Sequence, residues 1–270
     1  QDKLSFMEEM IEKAEKKDSG WSRDYAVGKW TVTYLKTLEE KNAPEDQLEE
    51  ICKKYWNNSG VRRYYIDRYF EKKEYDRVLQ VLDESIELDK AYRGQVLEYI
   101  QKKKEIYRLQ GNKSAYIEQL WKLVLEQSAG DLDIYKELKA QYSEKEWLIK
   151  REELFKKLPP NAHIDRLYKE EKLYDRLLAY VLKSSGLYAV QSYENVLKKE
   201  YPKQILSKYQ GEVNKMASCT GNRKHYADLV ALLRRMKRIK GGSEIVETIV
   251  EEWKIKYRNR PAMMDELSKL

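Results

Sequence analysis

The chain has 270 residues, of which 37% are charged and 41% hydrophobic, and it carries a formal net charge of +7. So much charge and a mean hydropathy of -0.85 would suit a disordered chain, but 22 Tyr and 6 Trp exclude that, because disordered segments are poor in aromatics. The longest purely apolar run is Leu229–Leu233 and there are two Cys, which excludes a membrane span of roughly 20 apolar residues and a disulfide framework.

Gly and Pro total 11 and 5, so few points break a helix, and the dominant Glu, Lys, Leu, Gln and Arg lose least on entering one. Apolar residues recurring at i, i+3, i+4 and i+7 predict a succession of amphipathic helices. The first covers about 3–17, with Leu4, Met7, Met10, Ile11 and Ala14 on one face and Asp18-Ser19-Gly20 ending it. The second, about 22–40, carries Val27, Trp30, Tyr34, Leu35 and Leu38. Pro44 suits the first turn of the third, where its missing N–H costs nothing, and Leu48, Ile51, Cys52 and Tyr55 form its stripe. After the turn Asn57-Asn58-Ser59-Gly60, helices follow near 61–72, 74–88, 92–109 and 112–128.

Gly130-Asp131 precedes a shorter helix near 131–141, and Ser143 with Glu146 has capping-box spacing for the next. Pro159-Pro160 stops that helix. Later ones are expected near 162–171, 173–184, 186–199, 202–217, 224–240 and 243–258, with a short one after Pro261. Paired, these roughly sixteen helices give units in the length range of tetratricopeptide-like repeats.

Two pairs of segments echo one another. Gly111-Asn112-Lys113-Ser114-Ala115-Tyr116 matches Gly221-Asn222-Arg223-Lys224-His225-Tyr226, and Tyr75-Asp76-Arg77-Val78-Leu79 matches Tyr174-Asp175-Arg176-Leu177-Leu178. Self-similar turns between helices mark a repeat array, in which each pair buries its apolar stripe against the next. The expected fold is therefore all-α: a right-handed α-α superhelix, a tetratricopeptide-like solenoid of stacked antiparallel helix pairs. It is read as one continuous domain over 1–270, with a bend near 158–161. The opening Gln1-Asp2-Lys3, without Met, suggests a fragment of a longer protein. A Tyr early in the second helix of a pair would pack its ring between helices with its hydroxyl reaching water.

Several segments together resemble the helical region that follows the zinc finger in bacterial SWIM zinc finger proteins. They are Glu146–Glu152, Leu167–Glu171 with Tyr174–Leu178, Tyr201-Pro202 with Tyr209, His225–Val230, and Trp253 with Tyr257–Leu267. The likeness spans roughly 20–267 and is most specific in Tyr257–Leu267. It implies a long helical region of unassigned biochemical role, attached to a Cys/His module thought to contact DNA or protein. No Cys-x-Cys or Cys-x-His pair occurs in this chain, so the finger's function does not transfer.

Candidate chemistry is sparse. A structural zinc needs four Cys or His ligands, and Cys52, Cys219, His163 and His225 are scattered along the chain; both thiols are expected to be buried and free in a reducing cytoplasm. Gly111-Asn112-Lys113-Ser114 lacks the first Gly of a phosphate-binding loop and follows a helix instead of a strand. Acidic residues, 46 in all, are too numerous to single out a general acid or base. No cofactor, metal or catalytic residue is assigned.

Charge distribution is more informative. The last seventy residues hold 15 basic and 8 acidic side chains, an excess equal to that of the whole chain. Arg223, Lys224, Arg234, Arg235 and Arg238 are the candidate anion- or partner-binding residues, set against the simpler reading that cations near Gly241 complement a helix C-terminus. The sequence thus favours a non-catalytic interaction scaffold that binds protein partners along a concave groove, cytoplasmic and without membrane contact. The alternative is a nucleic-acid-associated module using the basic C-terminal third.

Overall fold

Sixteen α-helices and no strand occupy the described residues, 2–17 and 20–270, of this computed structural model. They are α1 Lys3–Glu15, α2 Trp21–Glu40, α3 Glu45–Lys54, α4 Ser59–Glu71, α5 Tyr75–Leu88, α6 Arg93–Leu109, α7 Lys113–Lys122 and α8 Leu132–Lys139. The remainder are α9 Glu144–Lys157, α10 Ile164–Glu170, α11 Tyr174–Lys183, α12 Tyr188–Leu197, α13 Pro202–Ser218, α14 Arg223–Lys237, α15 Gly242–Lys256 and α16 Pro261–Leu267. Within each of the molecule's two compact units, helices pack in adjacent antiparallel pairs, and α16 packs on α14. Asp18 and Ser19, expected to end the first helix, lie outside the described residues.

The turns explain why the chain folds back so often. Lys73 (φ 61), Gly111 (φ 69) and Lys172 (φ 55) are each left-handed just past a helix end. The next N–H, of Glu74, Asn112 or Leu173, donates back to the carbonyl of Tyr69, Tyr107 or Tyr168 at 3.0, 2.9 and 2.9 Å. This Schellman closure satisfies carbonyls that a helix end leaves open. The residue making it is also the N-cap of the following helix, with φ between -83 and -77 and ψ between 60 and 80. One residue therefore stops one helix and starts another, giving the hairpins α4–α5, α6–α7 and α10–α11. Three residues into each second helix stands a buried side chain: Val78, Tyr116 or Leu177.

The Gly-Asn echo has a different content. Asn112 Oδ1 accepts from Ala115 N at 3.2 Å and Asn222 Oδ1 from His225 N at 3.0 Å, so both asparagines are N-caps. Tyr116 and Tyr226 then occupy the same helical position, and both are buried. Gly221, unlike Gly111, has no left-handed backbone; it lies under the His225 ring and its N–H donates to the Tyr226 hydroxyl at 3.2 Å.

Three local expectations are corrected. Pro44 is the N-cap of α3, not a residue within its first turn. The segment expected as one helix over 112–128 changes pitch: Leu123–Gln127 is π-helical, with Leu123 and Val124 both fully buried and the carbonyls of Glu126 and Gln127 accepting from Arg93 at 2.8 and 3.1 Å. Of the two thiols only Cys52 is buried; Cys219 is the extended C-cap residue of α13 and is exposed, because the packed face of α13 has already ended.

The capping box at Ser143 and Glu146 is formed in both directions. The described residues divide into two compact units, one ending at His163 and one running from Ile164 to Leu270. Each has its own core. Leu35, Val61, Tyr69, Val78, Leu82 and Ile106 lie at the centre of a cluster in the first, and Leu177, Val190, Tyr209, Leu233, Val246 and Trp253 in the second.

Candidate functional site

The five basic residues singled out from sequence lie on α14 or at its end, and the helix separates them. Arg223 and Lys224 open α14, while Arg234, Arg235 and Arg238 stand in its last turn and at its C-cap. Fifteen residues at 1.5 Å each put the two groups about 20 Å apart. They are not one patch.

Most of them also have partners within the protein. Arg223 pairs with Asp265 and, at 3.2 Å, with Glu266 on α16. Arg234 donates to the carbonyl of Lys269 at 2.6 Å. Arg235 is the most engaged: its Nε donates to Glu194 Oε2 at 2.6 Å and its Nη2 to the Gln191 carbonyl at 3.0 Å. Lys224 and Arg238 are exposed and make no described ion pair.

Glu194 is the buried anchor of this region. Burial pushes its carboxyl up, but hydrogen bonds from Tyr209 and Arg235 outweigh that and hold it below the usual carboxylate range. The Tyr209 hydroxyl donates to it at 2.7 Å, and burial together with this carboxylate pushes the phenol up. The arrangement joins α12, α13 and α14.

Packing reveals two residues that sequence reasoning missed. Lys199 lies in the turn between α12 and α13 and Lys203 in the first turn of α13, more than 30 residues before Arg238. The helices alternate in direction, so that turn shares an end of the unit with the turn between α14 and α15. Leu206 marks the meeting point: a Cβ built on Gly242 would stand 3.3 Å from its Cδ2. The same Cβ would meet the Met236 carbonyl at 1.9 Å, so this turn closes only around glycine. Lys199, Lys203, Arg238 and Lys240 are exposed here and carry no described intramolecular ion pair. Helix alternation was legible beforehand and was the signal for this grouping.

Several tyrosine hydroxyls tie one helix to another. Hydroxyls expected to reach water instead bind carboxylates of neighbouring elements. Tyr34 donates to Glu8 at 2.6 Å, Tyr99 to Asp89 at 2.7 Å, Tyr193 to Asp165 at 2.5 Å and Tyr201 to Asp175 at 2.5 Å. Tyr116 reaches Glu137, and Tyr69 reaches Glu45 and Glu49. Burial first and the carboxylate second push the Tyr34 and Tyr116 hydroxyls up to about 12. Phe offers no such bond, which favours Tyr at these positions.

Burial, followed by Glu49 and Glu45, pushes the Cys52 thiol up to about 12, so it is a poor nucleophile. His225 Nε2 lies 3.1 Å from the Met216 carbonyl, where it closes the α13–α14 turn. Among the described residues no three His, Cys, Asp or Glu converge as metal ligands, and no helix is long and apolar enough to cross a membrane. Comparison with family models, with curated proteins and with solved structures finds no match to this chain.

Proposed function

We propose that this chain is a non-catalytic interaction scaffold, each unit a stack of antiparallel helix pairs of the right-handed α-α superhelix kind, that binds protein partners in the cytoplasm. The observation that carries this reading is the reused turn. The left-handed closures at Lys73, Gly111 and Lys172 build hairpin after hairpin with one geometry, as a helical-repeat array does. The titratable groups support it as well: tyrosines and buried carboxylates are spent on one another between helices, and the buried thiol is held protonated. Under this proposal the resemblance to the helical region of SWIM zinc finger proteins reflects a shared architecture.

A second reading has one specific observation behind it. Residues 164–270 hold 22 basic and 14 acidic side chains, whereas residues 1–163 hold 31 and 32. The positive charge of the chain therefore resides in the second unit, as a nucleic-acid-associated module would require. Affinity purification of the tagged protein, with and without nuclease, separates the two. The scaffold reading expects a stable protein partner that survives nuclease and is reproduced with purified components. Recovery that disappears on nuclease treatment would favour the nucleic-acid module.

A further inference from the structure

We propose that the edge formed by the α12–α13 and α14–α15 turns is the docking surface of this scaffold, and that its occupant is an acidic segment of a protein partner. The proposal rests on the scaffold reading and names the chemistry of the partner. Nearly every buried or half-buried arginine of the chain has an intramolecular partner, as Arg62, Arg68, Arg77 and Arg235 do. At this edge the pattern breaks. Lys199, Lys203, Arg238 and Lys240 come from the two turns and the helix start beside them and are exposed. The exposed acids that share the edge are Glu200, Glu244 and Asp175, the last already bound by the Tyr201 hydroxyl at 2.5 Å. Unneutralised charge of one sign on a surface steers and selects an oppositely charged partner.

The surroundings decide which anion. Glu244, Glu247 and Glu251 run from this edge along the exposed face of α15 without a described ion pair. A DNA duplex carries about one charge per 1.7 Å without interruption, and laid across the edge it would bring phosphates against those carboxylates. The aromatic side chain of these turns, Tyr201, is half-buried with its hydroxyl bound to Asp175, so it offers no free ring on which to stack bases. A protein segment can place its acids on the four cations and uncharged or basic residues beside α15.

The test uses the 270-residue protein, a fluorescein-labelled oligoglutamate peptide and a DNA duplex of equal formal charge, at physiological ionic strength. Wild type is expected to bind the oligoglutamate more tightly than the duplex. The triple variant Lys203→Glu, Arg238→Glu, Lys240→Glu should weaken peptide binding by about tenfold or more, as loss of several interface charges does. A control triple at the other end of the same unit, Lys224→Glu, Lys254→Glu, Arg258→Glu, should leave binding within about twofold. Circular dichroism checks that both variants keep their helices. Three results would overturn the proposal: tighter binding to the duplex, equal losses in the two triples, or no peptide binding by wild type. None of them touches the scaffold reading, which stands or falls on partner capture.

Discussion

Each unit holds an ion pair bonded to a tyrosine, with both charges sealed in the first and only the carboxylate in the second. In the first unit Arg62 is fully buried. Its Nη2 donates to Asp89 at 2.6 Å, its Nη1 to the Trp56 carbonyl at 2.6 Å and its Nε to Ser85 at 3.1 Å. Asp89 also accepts from Tyr99. In the second unit the carboxylate of Glu194 is sealed, while the Arg235 side chain keeps 35% of its exposure. A guanidinium with no route to water depends wholly on its partners. One at the surface can exchange a lost bond for solvent.

That difference sets the largest expected effect. Arg62→Ala leaves Asp89 buried without its counter-charge and should cost about 3–5 kcal/mol, read by urea unfolding. Arg235→Ala removes the bonds to Glu194 and the Gln191 carbonyl, but Glu194 keeps Tyr209 and Lys198. Water can enter where the partly exposed guanidinium stood, so the substitution should cost less, about 1.5–3 kcal/mol. Equal losses would show that the extent of sealing is irrelevant.

Tyr116 and Tyr226 sharpen the comparison, because they hold equivalent helical positions in the two units. Truncation of either to Ala should cost about 3–5 kcal/mol, by analogy with buried Phe. Replacement by Phe separates them. Tyr116→Phe loses a bond to the Glu137 carboxylate, worth about 1.5–3 kcal/mol, whereas Tyr226→Phe loses a neutral one from Gly221, worth about 0.5–1.5 kcal/mol. The reverse order would show that the echo does not extend to the role of the hydroxyl.

Acid provides a third discrimination. The folded pKa of Glu194 is depressed, so its contribution is present above the unfolded value of about 4.3 and is lost as pH falls through the folded one. Stability should decline below about pH 5, and it should decline less in Arg235→Ala, where part of the depression is already gone. Parallel acid limbs in the two proteins would refute the coupling. The smallest effect belongs to the caps: Asn112→Ala and Asn222→Ala should each cost about 1 kcal/mol, measurable as a shift in the unfolding midpoint.

Much of the local structure was readable from residues alone. Gly130, Ser143 with Glu146, Pro202, Gly241 and Pro261 each mark a helix boundary, because capping and left-handed closure depend on a handful of consecutive residues. Lys73 and Lys172 were less legible. A lysine in the left-handed region costs roughly 1–2 kcal/mol, and only the packing of the hairpin around Tyr69 or Tyr168 holds it there. The candidate site was the least legible part, since sequence proximity grouped Arg223 with Arg238, which a helix holds apart, and left out Lys199 and Lys203, which a hairpin brings near.

The sequence by itself determined the all-α class, the number of helices, the Ser143–Glu146 capping box and the equivalence of Tyr116 and Tyr226. These follow from hydrophobic period and from interactions spanning fewer than about six residues. Only the tertiary structure decided that Arg62 is sealed, that Arg235 clamps Glu194, that Cys219 is exposed, and that tyrosine hydroxyls meet carboxylates 10 to 28 residues away. Burial and charge pairing are sums over neighbours from several helices, and those neighbours are set by how hairpins stack.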